Sequence, residues 1–582
     1  MTREKKSVIE NVIITFAVVI AFALLYKTAG FYYGINDDIT MQSLASGAVT
    51  GTPDGHLIFI RYALGVVIAG LFKLNDQYDW YGITLVGCML ICYVVCFHRV
   101  ILTSRNKENG TFIRTVCFLL IVTLFVGTTI IFQFTIVAGM LGATAIFYLA
   151  SLKKEVRPFD YILVWALLLL AAMIRIKVFY MVAPLCAFFL VGRIFENAGD
   201  GELQTVNEYI ERFKACRRGL IQASVVTIMG VLLFSGIKIL EKRAYADEPW
   251  STYTQYKHSR SLIMDYYGWP AYEGNEEFWD SIDISEEEYA CIWTYGILPD
   301  IDEEKITMIA DYSQEIFRRN ISLDKRLSNM RMVFLNAVRD DICKIPNILL
   351  AAAIGVLVVY AGKADNLTRL RIVIGVMIEL AILLYLLYQG RLPARIIMIY
   401  DYQCILAVMG SVLAHYESIG LKNRIGKVFV ILMCVGLLIV TYYRTNVDIL
   451  SNRKKLRIYD EEISYVSNYE DRVFVVPNGT FVSSKQFTIH ERSKSINTVG
   501  TYGWSVYSPW NEIKYQSYGL DRNIHILMQP NVYMVTADLI YADNLNQYYR
   551  SLGIIDSDYN IEETHTFSDG RTVYCVKWNP YE

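Results

Sequence analysis

The chain has 582 residues, 54% of them hydrophobic and 19% charged, with a formal net charge of −2. Together with a mean hydropathy of +0.31, that is too little charge for a soluble protein of this size, and the near-neutral balance excludes the basic surface a nucleic-acid binder needs. The 11 cysteines fall mostly inside apolar runs, at Cys88, Cys92, Cys96, Cys117, Cys186, Cys404 and Cys434, where they act as small hydrophobes, and no CxxC pair or Cys/His cluster marks a zinc site.

Apolar residues come in continuous blocks of the length that crosses a bilayer as a helix, about 20 residues. The clearest are 12–29, 83–102, 220–240 and 428–443. The N-terminus, MTREKK followed by a long apolar run, reads as an uncleaved first helix. Next comes FYYGINDDITMQSLASGAVTGTPDGH (31–56), which sets Asp37 beside Asp38 directly after that helix. The plain reading is a short helix over 39–46, capped by Asn36 or Asp37 and ended at Gly47. The chemical reading is a carboxylate at the bilayer edge, partly desolvated and suited to act as general base on a hydroxyl or amine.

The segment 57–74, LIFIRYALGVVIAGLFKL, decides the topology. If it spans, every later basic cluster moves to the side opposite the N-terminus. Its central Arg61 costs about 2.5–3.5 kcal/mol on insertion scales, so it is read as lying at the outer surface. The clusters Arg105/Lys107/Arg114, Lys153/Lys154/Arg157, Arg212/Lys214/Arg217/Arg218, Lys363/Arg369/Arg371 and Lys422/Arg424/Lys427 then share the cytoplasm with Arg3, Lys5 and Lys6. About eleven spans follow: 9–30, 80–102, 114–132, 134–151, 159–175, 178–195, 219–241, 346–362, 372–389, 396–416 and 427–443.

Two short turns break the charge rule. MIRIKVFYMVAP carries Arg175 and Lys177, and YQGRLPARIIMIYDY carries Arg391 and Arg395. Both put cations at the outer side, where interfacial charges need a partner. The partner is either an acid elsewhere or lipid headgroups, or a bound phosphate such as a polyprenyl phosphate headgroup. Arg61 and His56 follow the acids and could face the same cavity, although His56 also reads as a plain turn residue.

The stretch 241–346 is rich in aromatics and acids and reads as an outer insertion of short helices, with Ser285 capping one of them. Within it Tyr256, His258, Arg260 and Asp265 are candidate acceptor contacts, weighed against ordinary packing. The tail 444–582 reads as a polar helix near 453–469, a strand at RVFVVP, a strand–turn–helix at NVYMVTADLIYADNLNQYYRSLG, and a hairpin turning at Asp569-Gly570.

The expected protein is therefore a polytopic α-helical membrane protein with four parts: a membrane core over 1–240 that includes an outer loop at 31–79, a helical insertion over 241–346, further transmembrane helices over 347–443, and a small α/β domain over 444–582. The layout of first helix, outer loop opening on the NDD of Asn36–Asp38, surface-lying apolar helix and outer C-terminal domain resembles the GT-C superfamily of integral-membrane glycosyltransferases, which includes protein O-mannosyltransferases and bacterial aminoarabinose and arabinose transferases. The resemblance implies Asp37 as base with Asp38 as its partner, and a polyprenyl-phosphate-linked sugar held by Arg175, Lys177, Arg391, Arg395 and Arg61. It also implies inverting transfer to a cell-envelope acceptor at the outer face of a bacterial plasma membrane. The acids are adjacent here, whereas many members separate them by one residue. No second acid motif completes a metal site, so no cofactor is expected and a divalent metal stays open. A flippase of lipid-linked sugars and a non-catalytic binding protein are the competing readings.

Overall fold

The structure is a computed structural model. It describes residues 3–105, 109–152, 157–196, 206–295, 301–341, 345–363, 366–390, 392–415, 424–477, 479–492, 494–500 and 503–579. The apolar blocks fold as helices because a backbone in lipid must satisfy its own hydrogen bonds. They are α1 (Arg3–Ala29), α4 (Trp80–Ser104), α5 (Gly110–Ile130), α6 (Phe134–Ala150), α7 (Pro158–Ile174), α8 (Ile176–Glu196), α9 (Val206–Ala244), α15 (Ile345–Lys363), α16 (Asn366–Tyr388), α17 (Ala394–His415) and α18 (Arg424–Ser467). Among the described residues seven helices are long and apolar enough to cross a membrane, and five shorter ones are apolar. The chain is a multi-pass membrane protein.

Large apolar side chains of α1, α9, α16 and α18 face outward, among them Phe16, Leu232, Val373 and Phe429, as they must in lipid. The centre is α6, whose 17 residues are all buried. Its small residues let neighbours come close: a Cβ on Gly139 would lie 2.4 Å from Ile399 of α17, and one on Gly142 would lie 2.8 Å from Val182 of α8.

The segment read as surface-lying forms α3 (Tyr62–Leu74), whose 13 residues fall short of the ~20 needed to cross. Before it, α2 (Asn36–Ser46) holds the paired acids, and Gly47 ends it at φ 82°, donating to the carbonyls of Leu44 and Ser43. The N-cap is Ile35, with no side-chain cap. Asn36 and Asp37 are therefore not the cap. Both acids stand in the first turn with their carboxylates turned elsewhere.

The insertion contains α10 (Trp250–Leu262), a π-helical turn (Ile263–Tyr267), α11 (Glu276–Ser281), α12 (Glu286–Tyr295), α13 (Glu303–Asn320) and α14 (Leu323–Asp341). The Ser285 hydroxyl accepts from the Glu288 amide as a cap should. Helices α13 and α14 run 18 and 19 residues, longer than the short helices expected. The last span also differs: α18 continues for 44 residues into the C-terminal domain, roughly 66 Å of helix. No Gly or Pro occurs between Gly436 and Pro477, so nothing separates the span from the polar helix expected after it.

The C-terminal domain has a five-stranded sheet of order β5-β3-β6-β8-β7, made of β3 (Val473–Val475), β5 (Thr498–Val499), β6 (Val532–Thr536), β7 (Asn560–Thr566) and β8 (Thr572–Lys577), with helices α19 (Pro509–Ser517) and α20 (Ile540–Ser551). The hairpin β7–β8 turns through Gly570 at φ 88°. A second, three-stranded sheet joins distant parts of the chain. β1 (Phe31–Tyr33) pairs in parallel with β2 (Ile131–Phe132) and antiparallel with β4 (Gln486–Phe487) of the C-terminal domain. It seats that domain on the membrane core beside the paired acids.

The seat is tight at Gly82, where a Cβ would lie 2.3 Å from the Phe487 ring and 2.6 Å from the Tyr33 hydroxyl. Gly82→Ala is expected to cost about 1–3 kcal/mol of stability, the usual range for overpacking, and to lower the melting temperature of the purified protein. Unchanged melting would show that Phe487 can yield.

Candidate active site

β1 delivers α2 to the end of the bundle where the turn between α7 and α8, the start of α17, the insertion and the C-terminal domain meet. Asp38 is 0% exposed. Its Oδ1 accepts from the Tyr81 hydroxyl at 2.7 Å and from the Phe134 amide at 3.2 Å. That amide is positioned by β2, two residues upstream. Its Oδ2 is buried with no hydrogen-bond partner. Burial pushes the Asp38 carboxyl up to about 8, against the two hydrogen bonds and with a further push from Asp37. Asp37 is only partly buried, and its Oδ1 accepts from the Trp504 indole at 2.9 Å. Burial raises its carboxyl too, opposed by the Trp504 bond and the Arg395 and Arg175 cations. Two adjacent acids thus have unlike environments, one sealed and one reachable.

The sealed position of Asp38 makes a pH-dependent prediction. Between the ordinary carboxylate range and about 8, folding makes Asp38 take up a proton that the unfolded chain lacks, so its burial destabilises increasingly as pH rises through that window. Asp38→Asn, neutral at every pH, is expected to melt above the wild type, with a gap that widens from mildly acidic pH to about pH 8 and then stays constant. A gap independent of pH would show that Asp38 is ionised in the fold.

The cations come next. Arg175 is the single residue between α7 and α8, and its guanidinium lies 5.1 Å from the Phe59 ring and 5.4 Å from the Phe134 ring. Those rings stack on each other at 5.8 Å. Arg395, in the first turn of α17, acts electrostatically on both aspartates. Lys177 is exposed, two residues after Arg175. Arg391 lies outside the described residues.

The other candidates have partners of their own. Arg61 binds Glu241 of α9 at 2.6 Å, so its charge is already compensated and it ties α3 to α9. His56 has both ring nitrogens engaged, Nδ1 with Asp54 at 2.7 Å and Nε2 with the Ala244 carbonyl at 3.2 Å, and it stacks on Trp250 at 4.1 Å. It braces the loop and has no nitrogen left for an acceptor. Tyr256 is 2% exposed and packs on Tyr507 at 4.4 Å, which makes it a core residue. His258 is exposed, about 200° around α10 from Tyr256, and belongs to the helix's outer side. Arg260 bears on the buried Tyr253 and Tyr256. Of the four insertion candidates, Asp265 is the one whose charge reaches Asp37.

Several residues here carried no sequence signal. Lys257 has its ammonium 5.1 Å from the Phe59 ring. Trp504 packs edge-on to the same ring at 4.9 Å, and its carbonyl accepts from the Tyr253 hydroxyl at 2.6 Å. Asp54 accepts from the Trp510 indole at 3.0 Å. Burial raises the Asp54 carboxyl, but the His56 hydrogen bonds outweigh it and hold Asp54 low. Loop, insertion and C-terminal domain are therefore knitted together beside the paired acids. Among the described residues no three His, Cys, Asp or Glu side chains converge as a metal site would require.

No family model matches the chain, and no curated protein matches it. Among solved structures, the chain is similar to the crystal structure of ArnT from Cupriavidus metallidurans bound to undecaprenyl phosphate, with 11% identity, 97% of each chain covered and a TM-score of 0.34. The apo form of the same protein gives 10% identity at the same coverage and TM-score. A likeness of this size assigns no residue and no reaction.

Proposed function

We propose that this protein is a membrane glycosyltransferase that moves a sugar from a polyprenyl-phosphate donor to a cell-envelope acceptor, with inversion. The observation that carries this reading is the pairing of a reachable carboxylate, Asp37, with cations from two separate turns, Arg175 and Arg395, at one end of the helix bundle. In this reading the donor's phosphate lies against Arg175, Arg395 and Lys177, and its prenyl chain runs into the bilayer. Asp37 accepts the proton of an acceptor hydroxyl, whose oxygen attacks the anomeric carbon. The bond from that carbon to the phosphate oxygen breaks on the opposite face, and the polyprenyl phosphate leaves with its electron pair. The cations stabilise the charge that grows on the leaving group. The raised carboxyl of Asp37 suits a base, because proton transfer is most effective when the base's affinity approaches the working pH. Asp38, sealed and proton-bearing, leaves the charge of the pair on Asp37.

The sidedness follows the reading from charge: acids, insertion and C-terminal domain outside, basic loops inside. The test is to incubate the purified protein with a panel of short-chain polyprenyl-phosphate sugars and an envelope extract as acceptor source, and to follow release of polyprenyl phosphate. Release from at least one donor, abolished by Asp37→Asn, is the expected result. Donor binding without release would favour a flippase, and no binding would sink the reading. A chelator in the same assay asks whether a divalent cation shares the neutralisation.

A further inference from the structure

Two cations share one aromatic ring in this site. Arg175, from the turn between α7 and α8, and Lys257, from the insertion helix α10, each lie 5.1 Å from the centre of the Phe59 ring. Lys257 makes no hydrogen bond or ion pair among the described residues, whereas Arg61 has Glu241. The charged groups facing it are Arg175 of the turn, Lys177 of α8, Glu241 of α9 and Asp37 of α2. Glu241 is already bonded to Arg61, and Asp37 to Trp504. Glu241 keeps its buried Oε2 without a hydrogen-bond partner, yet Lys257 bonds to neither acid. A lysine held beside two other cations, with no anion bonded to it, stands where an anionic ligand would complete the arrangement.

We infer that Lys257 is a further ligand of the lipid phosphate, reaching the membrane-edge site from the insertion, and that it gains a proton when that anion binds. The inference rests on the reading of the site as a phosphate site. Burial, with Arg175 beside it, brings the ammonium down to about 7. Above that pH the empty site holds a neutral amine. A dianionic phosphate placed among Arg175, Lys177 and Lys257 favours the charged form, so binding takes up one proton. By linkage, affinity then falls by up to about tenfold for each pH unit above 7. A phosphate monoester has its second ionisation near pH 6, so above pH 7 the ligand itself adds little to that slope.

The experiment is calorimetric titration of the full-length protein in detergent with farnesyl phosphate, from pH 7 to 9. Buffers of differing ionisation enthalpy count the protons taken up. The wild type is expected to take up about one proton at pH 8, and its affinity should fall as pH rises. Lys257→Arg, charged throughout, should still bind but with a flat pH profile and no uptake, while Asp38→Asn should keep the wild-type slope. Equal slopes in wild type and Lys257→Arg overturn the inference and leave the phosphate site standing. A slope lost in Asp38→Asn but kept in Lys257→Arg would hand the proton to Asp38 and also overturn it. No binding of farnesyl phosphate at any pH would remove the phosphate site and this inference together. Inorganic phosphate reproducing the same uptake at the same affinity would overturn the lipid headgroup as the source.

Discussion

Asp37→Asn is expected to lower transfer by roughly 10²–10⁴-fold, the range a positioned general base contributes, while leaving the melting temperature and donor affinity near those of the wild type. The substitution keeps the shape of the side chain and lets its amide oxygen accept from the Trp504 indole, so the contact between membrane core and C-terminal domain survives. It removes only the capacity to take a proton. Asp38→Asn should behave in the opposite way, holding transfer within about tenfold and shifting stability with pH, because Asp38 is sealed behind Tyr81 and Phe134 and cannot meet a substrate. Measuring both variants for turnover and for melting separates base from support. Full turnover in Asp37→Asn, or loss of turnover confined to Asp38→Asn, would reverse the assignment.

Arg175→Ala should reduce kcat/KM for the lipid donor by roughly 10- to 100-fold, the loss of about 1.5–3 kcal/mol expected when a charge-assisted hydrogen bond to phosphate disappears. The rise should appear mainly in the donor KM. Arg175 also covers the Phe59 and Phe134 rings, a contact worth about 0.5–2 kcal/mol, so the alanine variant alone could act through packing. Arg175→Lys keeps the charge over the rings and loses the planar, two-pronged contact. It should melt like the wild type yet still bind the donor more weakly. Donor kinetics unchanged in both variants would remove Arg175 from the site.

How much of this was legible beforehand follows from which features are local. Helix existence was readable because unbroken apolar runs of bilayer length have one stable backbone solution in lipid. The reading of 57–74 as a surface-lying segment rested on Arg61, a charge that a spanning segment would have to bury, and the 13 residues of α3 are too few to cross. Gly47, Ser285 and Asp569-Gly570 announced a helix end, a cap and a turn because those positions act within a few residues of themselves. The paired acids and the out-of-place cations Arg175 and Arg395 stood out for the same reason: each conflicts with its immediate surroundings.

What the sequence by itself determined is thus the membrane class, the run of helices, and the positions where charge is anomalous. Only the tertiary structure decided what each anomaly touches. Strands of two or three residues have no periodicity to read, so the β1–β2–β4 sheet that aims α2 and brings in the C-terminal domain was invisible. Arg61 and His56 were compensated by Glu241, Asp54 and Ala244, partners up to 188 residues away. Trp504 reached Asp37 across 467 residues. Nothing in the local sequence marks Lys257, which meets Phe59 and Arg175 only in the fold. A charge's role depends on its desolvation and on the nearest opposite charge, and both are set by distances that chain separation does not encode.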